Sequence, residues 1–134
     1  MAMCKVSSAV HFVKGGKEGP GNARWVPTTD VYETDHGLVV KAELAGMRSD
    51  SLEIMVEGHR LHISGNRSDG CRSPHCTFLV MEINYGPFEC VLELPSRYDL
   101  SQAKAAYLNG FLRIDVPLAQ AHLKTTKVPI AEGK

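Results

Sequence analysis

From Trp25 onward, apolar and polar positions alternate along this chain with a period of two, the spacing that places one face of a β-strand in a core and the other in water. The clearest run sets Leu52, Ile54 and Val56 against Glu53, Met55 and Glu57. Gly58-His59 makes a hairpin-sized turn, and Leu61 and Ile63 then alternate with His62 and Ser64. The same rhythm predicts strands over 27–33, around Val31 and Tyr32, and over 38–44, where Val40, Ala42 and Leu44 share a face. Residues 77–83 and 88–94 also read as strands, the second closed by Pro95. The last predicted strand, 111–116, places Leu112, Ile114 and Val116 on one side after a strong Asn109-Gly110 turn. Residues 96–106 have partly helical composition, and Val6, Ala9, Val10 and Val13 would share one face of a short helix.

Seven or eight short strands with frequent turns and no long amphipathic helix predict an all-β, antiparallel, immunoglobulin-like sandwich. A parallel sheet would require crossover helices, which the pattern does not supply. Gly15-Gly16-Lys17-Glu18-Gly19-Pro20-Gly21-Asn22 reads as a flexible linker. The expected organisation is a short arm and linker over 1–24, one domain over 25–117 and a C-terminal tail over 118–134.

Charge and chemistry narrow the function. Fifteen basic residues balance fifteen acidic ones, so no global field draws the chain to nucleic acid or an anionic membrane. No stretch approaches the roughly 20 apolar residues of a membrane span, and residues 1–13 make a poor secretory signal. A cytoplasmic location is the expectation. Cys4, Cys71, Cys76 and Cys90 lack the framework of a disulfide-stapled domain. Cys71, His75 and Cys76 invite a metal reading, but a structural zinc site needs a second ligand pair, which the sequence lacks nearby; His59 and His62 could be recruited only by the fold. Free, reduced thiols, with no metal, are the preferred reading. Neither a nucleotide-binding loop nor a nucleophile elbow is present, so no enzyme activity and no cofactor are expected. A redox role for Cys90, or for Cys71 with Cys76, would need an electropositive, accessible setting.

Six landmarks then occur in order. They are Trp25-Val26-Pro27-Thr28-Thr29-Asp30-Val31-Tyr32-Glu33; Glu43-Leu44-Ala45-Gly46-Met47; Leu52-Glu53-Ile54-Met55-Val56 with Leu61-His62-Ile63-Ser64-Gly65; Tyr85-Gly86-Pro87-Phe88 with Leu94-Pro95; Ala105-Ala106-Tyr107-Leu108-Asn109-Gly110-Phe111-Leu112; and Val128-Pro129-Ile130. The series resembles the bacterial and plant branch of the small heat-shock proteins, built on the α-crystallin domain. Three positions depart from that pattern. Ala45 stands where proline is usual, and Ile83 and Cys90 stand where the family usually carries arginines that serve the dimer interface.

The resemblance implies an ATP-independent chaperone that binds unfolding proteins and assembles from dimers. The alternative is a β-sandwich co-chaperone of the related CS type docking one folded partner, which would need neither the V-P-I tail nor a strand to exchange. Residues 128 and 130 point to one side of an extended tail, and Pro129 restricts its backbone. By resemblance, Val128, Pro129 and Ile130 dock in a neighbouring subunit's groove lined by Leu52, Ile54, Val56, Ala103 and Ala105. The other outcomes are a tail folded on its own domain and, for the five lining residues, ordinary core.

Twenty residues separate Gly65 from Gly86, more than a hairpin needs. The resemblance implies that Phe78, Leu79, Val80, Met81 and Glu82 exchange into a partner against its first strand, giving a two-fold dimer. The competing arrangement is a local hairpin against 88–94. Met1, Met3, Val6, Val10, Phe12 and Val13 are candidates for client binding, being apolar and, at the methionines, adaptable. The expected partners are unfolded proteins, further copies of this chain and a longer paralogous small heat-shock protein, with no nucleic acid or membrane.

Overall fold

The computed structural model describes residues 10–13, 24–69, 73–120 and 127–133. Eight strands occur among them: β1 (His11–Phe12), β2 (Thr29–Thr34), β3 (Gly37–Glu43), β4 (Leu52–Glu57), β5 (Arg60–Arg67), β6 (Gly86–Glu93), β7 (Lys104–Leu108) and β8 (Phe111–Pro117). They form two antiparallel sheets, ordered β1-β6-β5-β4 and β2-β3-β8-β7. The architecture is the sandwich that the alternation predicts.

The register explains the core. In one sheet, Val56 stands opposite Leu61, Ile54 opposite Ile63, Ile63 opposite Cys90 and Leu61 opposite Leu92. In the other, Leu38, Val40 and Ala42 stand opposite Val116, Ile114 and Leu112. Their buried members interdigitate with Leu44, Phe88 and Leu94 in one cluster, Ile54 packs partly against it and Val56 stays exposed; the polar residues between them face water. β3 lies between β2 and β8 and is buried along both faces, which suits its continuous Leu38-Val39-Val40 run.

Two turns set the hairpins. Gly58 at φ +59° closes β4 to β5, and Asn109 (φ +52°) with Gly110 (φ +81°) closes β7 to β8. Both central residues of the second turn are left-handed, the type I′ geometry that matches strand twist.

Three elements differ from the sequence expectation. At 11–12 the chain is a strand rather than a helix, with His11 opposite Glu93 and Phe12 opposite Leu92. Two residues cannot display a period, and the open edge of β6 supplies the hydrogen bonds that decide their conformation. In 96–106, helix shrinks to one 3-10 turn, Leu100–Gln102, capped by the Asp99 side chain before β7 begins. Residues 77–83 belong to no strand, and the local hairpin with 88–94 does not form. β6 already has β5 along one edge, while β1 and Trp25 occupy the other.

Candidate functional site

The exposed functional candidates cluster at sheet edges and in the segments outside the ladders. β4 ends one sheet and β7 ends the other. Both edges lie on one side of the sandwich. Trp25, leading into β2, bridges to Phe88 on β6 at the far side, whereas Tyr107 of β7 bonds the turn that precedes β4. Its hydroxyl donates to the Leu44 carbonyl at 2.7 Å and accepts from the Met47 N–H at 3.2 Å.

Along these edges, the sequence candidates fall into two rows. Leu52 and Ile54 are half-buried against the core and Val56 is exposed. Across from them Ala103 is half-buried, Ala105 is exposed and Tyr107 continues the row. None of the five candidates is fully buried: Leu52, Ile54 and Ala103 pack partly against the core, and Val56 and Ala105 stand outside it. Their inward faces keep apolar surface within reach of solvent because each edge strand lacks a neighbour on one side. Sequence reasoning missed Tyr107, although the period-2 continuation of Ala103 and Ala105 pointed to it.

The second group is the segment between β5 and β6. Leu79 is 95% exposed, and Val80, Met81 and Ile83 are also largely exposed. Phe78 and Glu82 are exposed as well. The tail forms the third group: 127–133 has no regular structure, and Val128 (77%) and Ile130 (94%) present their side chains to solvent beside an exposed Pro129. In the arm, Val10 packs partly on the core, Phe12 is exposed, and the Val13 N–H donates to the Val91 carbonyl at 2.9 Å. Met1, Met3 and Val6 lie outside the described residues.

The cysteines divide by environment. Cys90 is 1% exposed within the core, and burial pushes its thiol up while a side-chain hydrogen bond with Thr29 acts the other way. This setting is the opposite of the electropositive, accessible one that a reactive cysteine needs. Cys76 is exposed and unpaired by disulfide; Cys4 and Cys71 lie outside the described residues. Among the described residues no group of three or more His, Cys, Asp or Glu side chains is placed to hold a metal ion. No helix among them is long and apolar enough to cross a membrane.

Comparison with known proteins bears on the family and the fold. The profile of the Hsp20/alpha crystallin family matches residues 30–131. Small heat shock protein C2 of Rickettsia felis is 29% identical over 105 residues, 78% of this chain and 68% of the relative. The chain spans between 57% and 75% of the length of the curated relatives it matches. Among solved structures, hspA from Xanthomonas axonopodis superposes with a TM-score of 0.66 at 31% identity, covering 72% of this chain and 97% of that one. A small heat-shock protein from Xylella fastidiosa gives 0.67 at 30% identity, covering 84% of this chain and all of that one. Sequence and fold thus agree over most of its length, and the chain belongs to the Hsp20/α-crystallin family, the small heat-shock proteins, which are chaperones rather than enzymes.

Proposed function

We propose that this chain is an ATP-independent holdase that binds unfolding proteins in the cytoplasm and keeps them from aggregating, working as a dimer-based oligomer. One observation carries the reading: the sandwich encloses a buried core, yet largely apolar segments at 78–83 and 128–130 remain exposed outside it. Exposed apolar surface of this kind marks contacts with other chains. A client bound through such surface is withdrawn from aggregation by mass action, with no energy source.

Each segment has a matching acceptor. β2 is the edge of its sheet opposite β7 among the described residues, and it takes 77–83 of a second copy by β-augmentation. Reciprocal exchange of this kind closes a two-fold dimer. Val128 and Ile130 dock as alternate side chains between β4 and β7 of a neighbouring subunit, over Leu52, Ile54, Val56, Ala103 and Ala105. The Xylella fastidiosa protein is described as having a distinct high order structure, in keeping with assembly beyond the dimer. The arm, through Val10, Phe12 and Val13 together with Met3 and Val6, contributes client contacts when it lifts from β6.

Light scattering from a heated, aggregation-prone model protein tests the holdase reading. Suppression at near-stoichiometric ratio without ATP is the expected result. A folded chain that suppresses nothing at any ratio would rule out holdase action by this chain alone.

A further inference from the structure

Arg67, the last residue of β5, spends its guanidinium on parts of the chain that the sandwich does not need it to join. Nε and Nη2 donate to the Asn84 carbonyl at 2.8 and 2.5 Å, and Nη1 donates to the Ala45 carbonyl at 3.3 Å. Its central carbon lies 4.4 Å from the centroid of the Trp25 ring and 5.7 Å from that of Tyr85. Trp25 is held in turn: Nε1 donates to the Gly86 carbonyl at 3.1 Å, and the indole meets the Phe88 ring at 5.0 Å between centroids. The register already closes β5 on β6 at Arg67 opposite Gly86, so closing the ladder does not require these contacts.

The clamp connects two segments with a shared task. Asn84 and Tyr85 are the root of the apolar segment 77–83. Trp25 lies four residues ahead of β2, the edge strand that would receive that segment from a second subunit. In a reciprocal two-fold exchange both segments must reach both edges at once, so within each subunit the donor root and the acceptor edge need a fixed relation. A slack root would lose entropy on docking that a pre-set one has already lost. The planar fork of an arginine can grip two carbonyls while stacking on an indole, and a lysine ammonium cannot do all three.

We propose that Arg67 is a positioning residue for self-association: by joining Asn84–Tyr85 to Trp25 it presets the donor segment against the acceptor edge of its own subunit, for pairing with a second copy of this chain. The inference rests on the strand-exchange reading given under Proposed function.

The test compares the full chain with Arg67→Ala, Arg67→Lys and Leu79→Asp/Val80→Asp. Native mass spectrometry over a dilution series gives the dimer dissociation constant, and amide exchange in 61–63 and 88–92 reports the core. Arg67→Ala should weaken the dimer by about tenfold or more with core protection unchanged, and Arg67→Lys should recover little of the loss. Dimerisation as tight as wild type, or a fall in core protection parallel to the loss of dimer, overturns the proposal. If the alanine variant does not fold, the lysine variant decides by the same two readings. A Leu79→Asp/Val80→Asp chain that still dimerises normally sinks the exchange reading and this proposal with it. Dissociation of that variant beside an intact Arg67→Ala dimer sinks the proposal alone.

Discussion

Gly65 lies so close to the Phe88 ring that a Cβ at this position would stand 2.7 Å from the ring's Cζ. The same Cβ would lie 2.5 Å from the backbone oxygen of Ser51, which cannot turn aside. The glycine lets Phe88, fully buried, fill the space beneath β5 where Leu61 and Ile63 would call for a third side chain.

Gly65→Ala should therefore destabilise the fold by overpacking. The expected cost is about 1–3 kcal/mol, read as a lower urea midpoint with an unchanged slope. An alanine variant as stable as wild type would mean that Phe88 and Ser51 can move apart, contrary to their close packing around Gly65.

Tyr107 supplies a second fixed point. Its hydroxyl serves the Leu44 carbonyl and the Met47 N–H together, tying β7 to the turn before β4 and so relating the two open edges. Tyr107→Phe leaves the ring but strands both backbone groups, and an unsatisfied polar group of this kind costs about 1–3 kcal/mol. Faster amide exchange at Met47 than at Ile63 in the variant would identify the loss as local.

Much of this arrangement was legible in the sequence because burial of one face imposes a period of two. Leu52/Ile54/Val56 and Leu112/Ile114/Val116 alternate for that reason, and Asn109-Gly110 encodes a turn that other residue pairs adopt with difficulty. Residues 77–83 show where the reasoning reaches its limit. Their composition fits a pleated surface, but β propensity does not specify a partner, and no ladder within the described subunit takes them. β1 was missed because two residues carry no period, and its conformation comes from the edge of β6. Arg67 was invisible for another reason: an arginine bound to carbonyls has the same one-letter pattern as one facing water.

Glu33 on β2 pairs with Arg97, and the hydrogen bond from Arg97, then one with Tyr98, holds its carboxyl below the usual glutamate range. A carboxylate with a lowered folded value adds stability above its unfolded value and loses it as pH falls through the folded one. Both side chains are about half exposed, so the contribution is small and screened by salt. A double-mutant cycle with Glu33→Gln and Arg97→Gln should show coupling at pH 7 that declines as pH falls below the unfolded glutamate value, about 4.3, and that shrinks in molar salt. Coupling that changes with neither pH nor salt would contradict the ionic account.

Cys90 has the opposite sign at the other end of the scale. Burial raises its folded value above that of an unfolded thiol, about 8.5. Its contribution is complete below the unfolded value and is lost as pH climbs from there through the folded one. Thermal stability should decline more steeply above about pH 8.5 for wild type than for Cys90→Val. In native protein a thiol reagent should modify Cys76 quickly and Cys90 only as fast as the subunit opens. Rapid native labelling of Cys90 would show that the sandwich opens at β6 far more readily than its core implies.

The tail offers the clearest separation of assembly from folding. Val128 and Ile130 project from a segment without regular structure, and neither takes part in the core. Truncating both to alanine should leave the unfolding midpoint of the dilute subunit unchanged, because burial on folding is unaffected. If the two side chains dock between β4 and β7 of a neighbour, the variant removes on the order of 2–4 kcal/mol of apolar contact per tail, at about 0.8 kcal/mol per buried methylene. Large assemblies would then shift toward dimers in sedimentation velocity, while strand exchange through 77–83 keeps the dimer itself intact. Val56→Asp should reproduce that shift from the acceptor side, since a carboxylate at the mouth of the groove disfavours an apolar peg. Loss of the dimer together with the larger species would instead place the tail at the two-fold interface, and an unchanged size distribution would leave Val128 and Ile130 without a role in assembly.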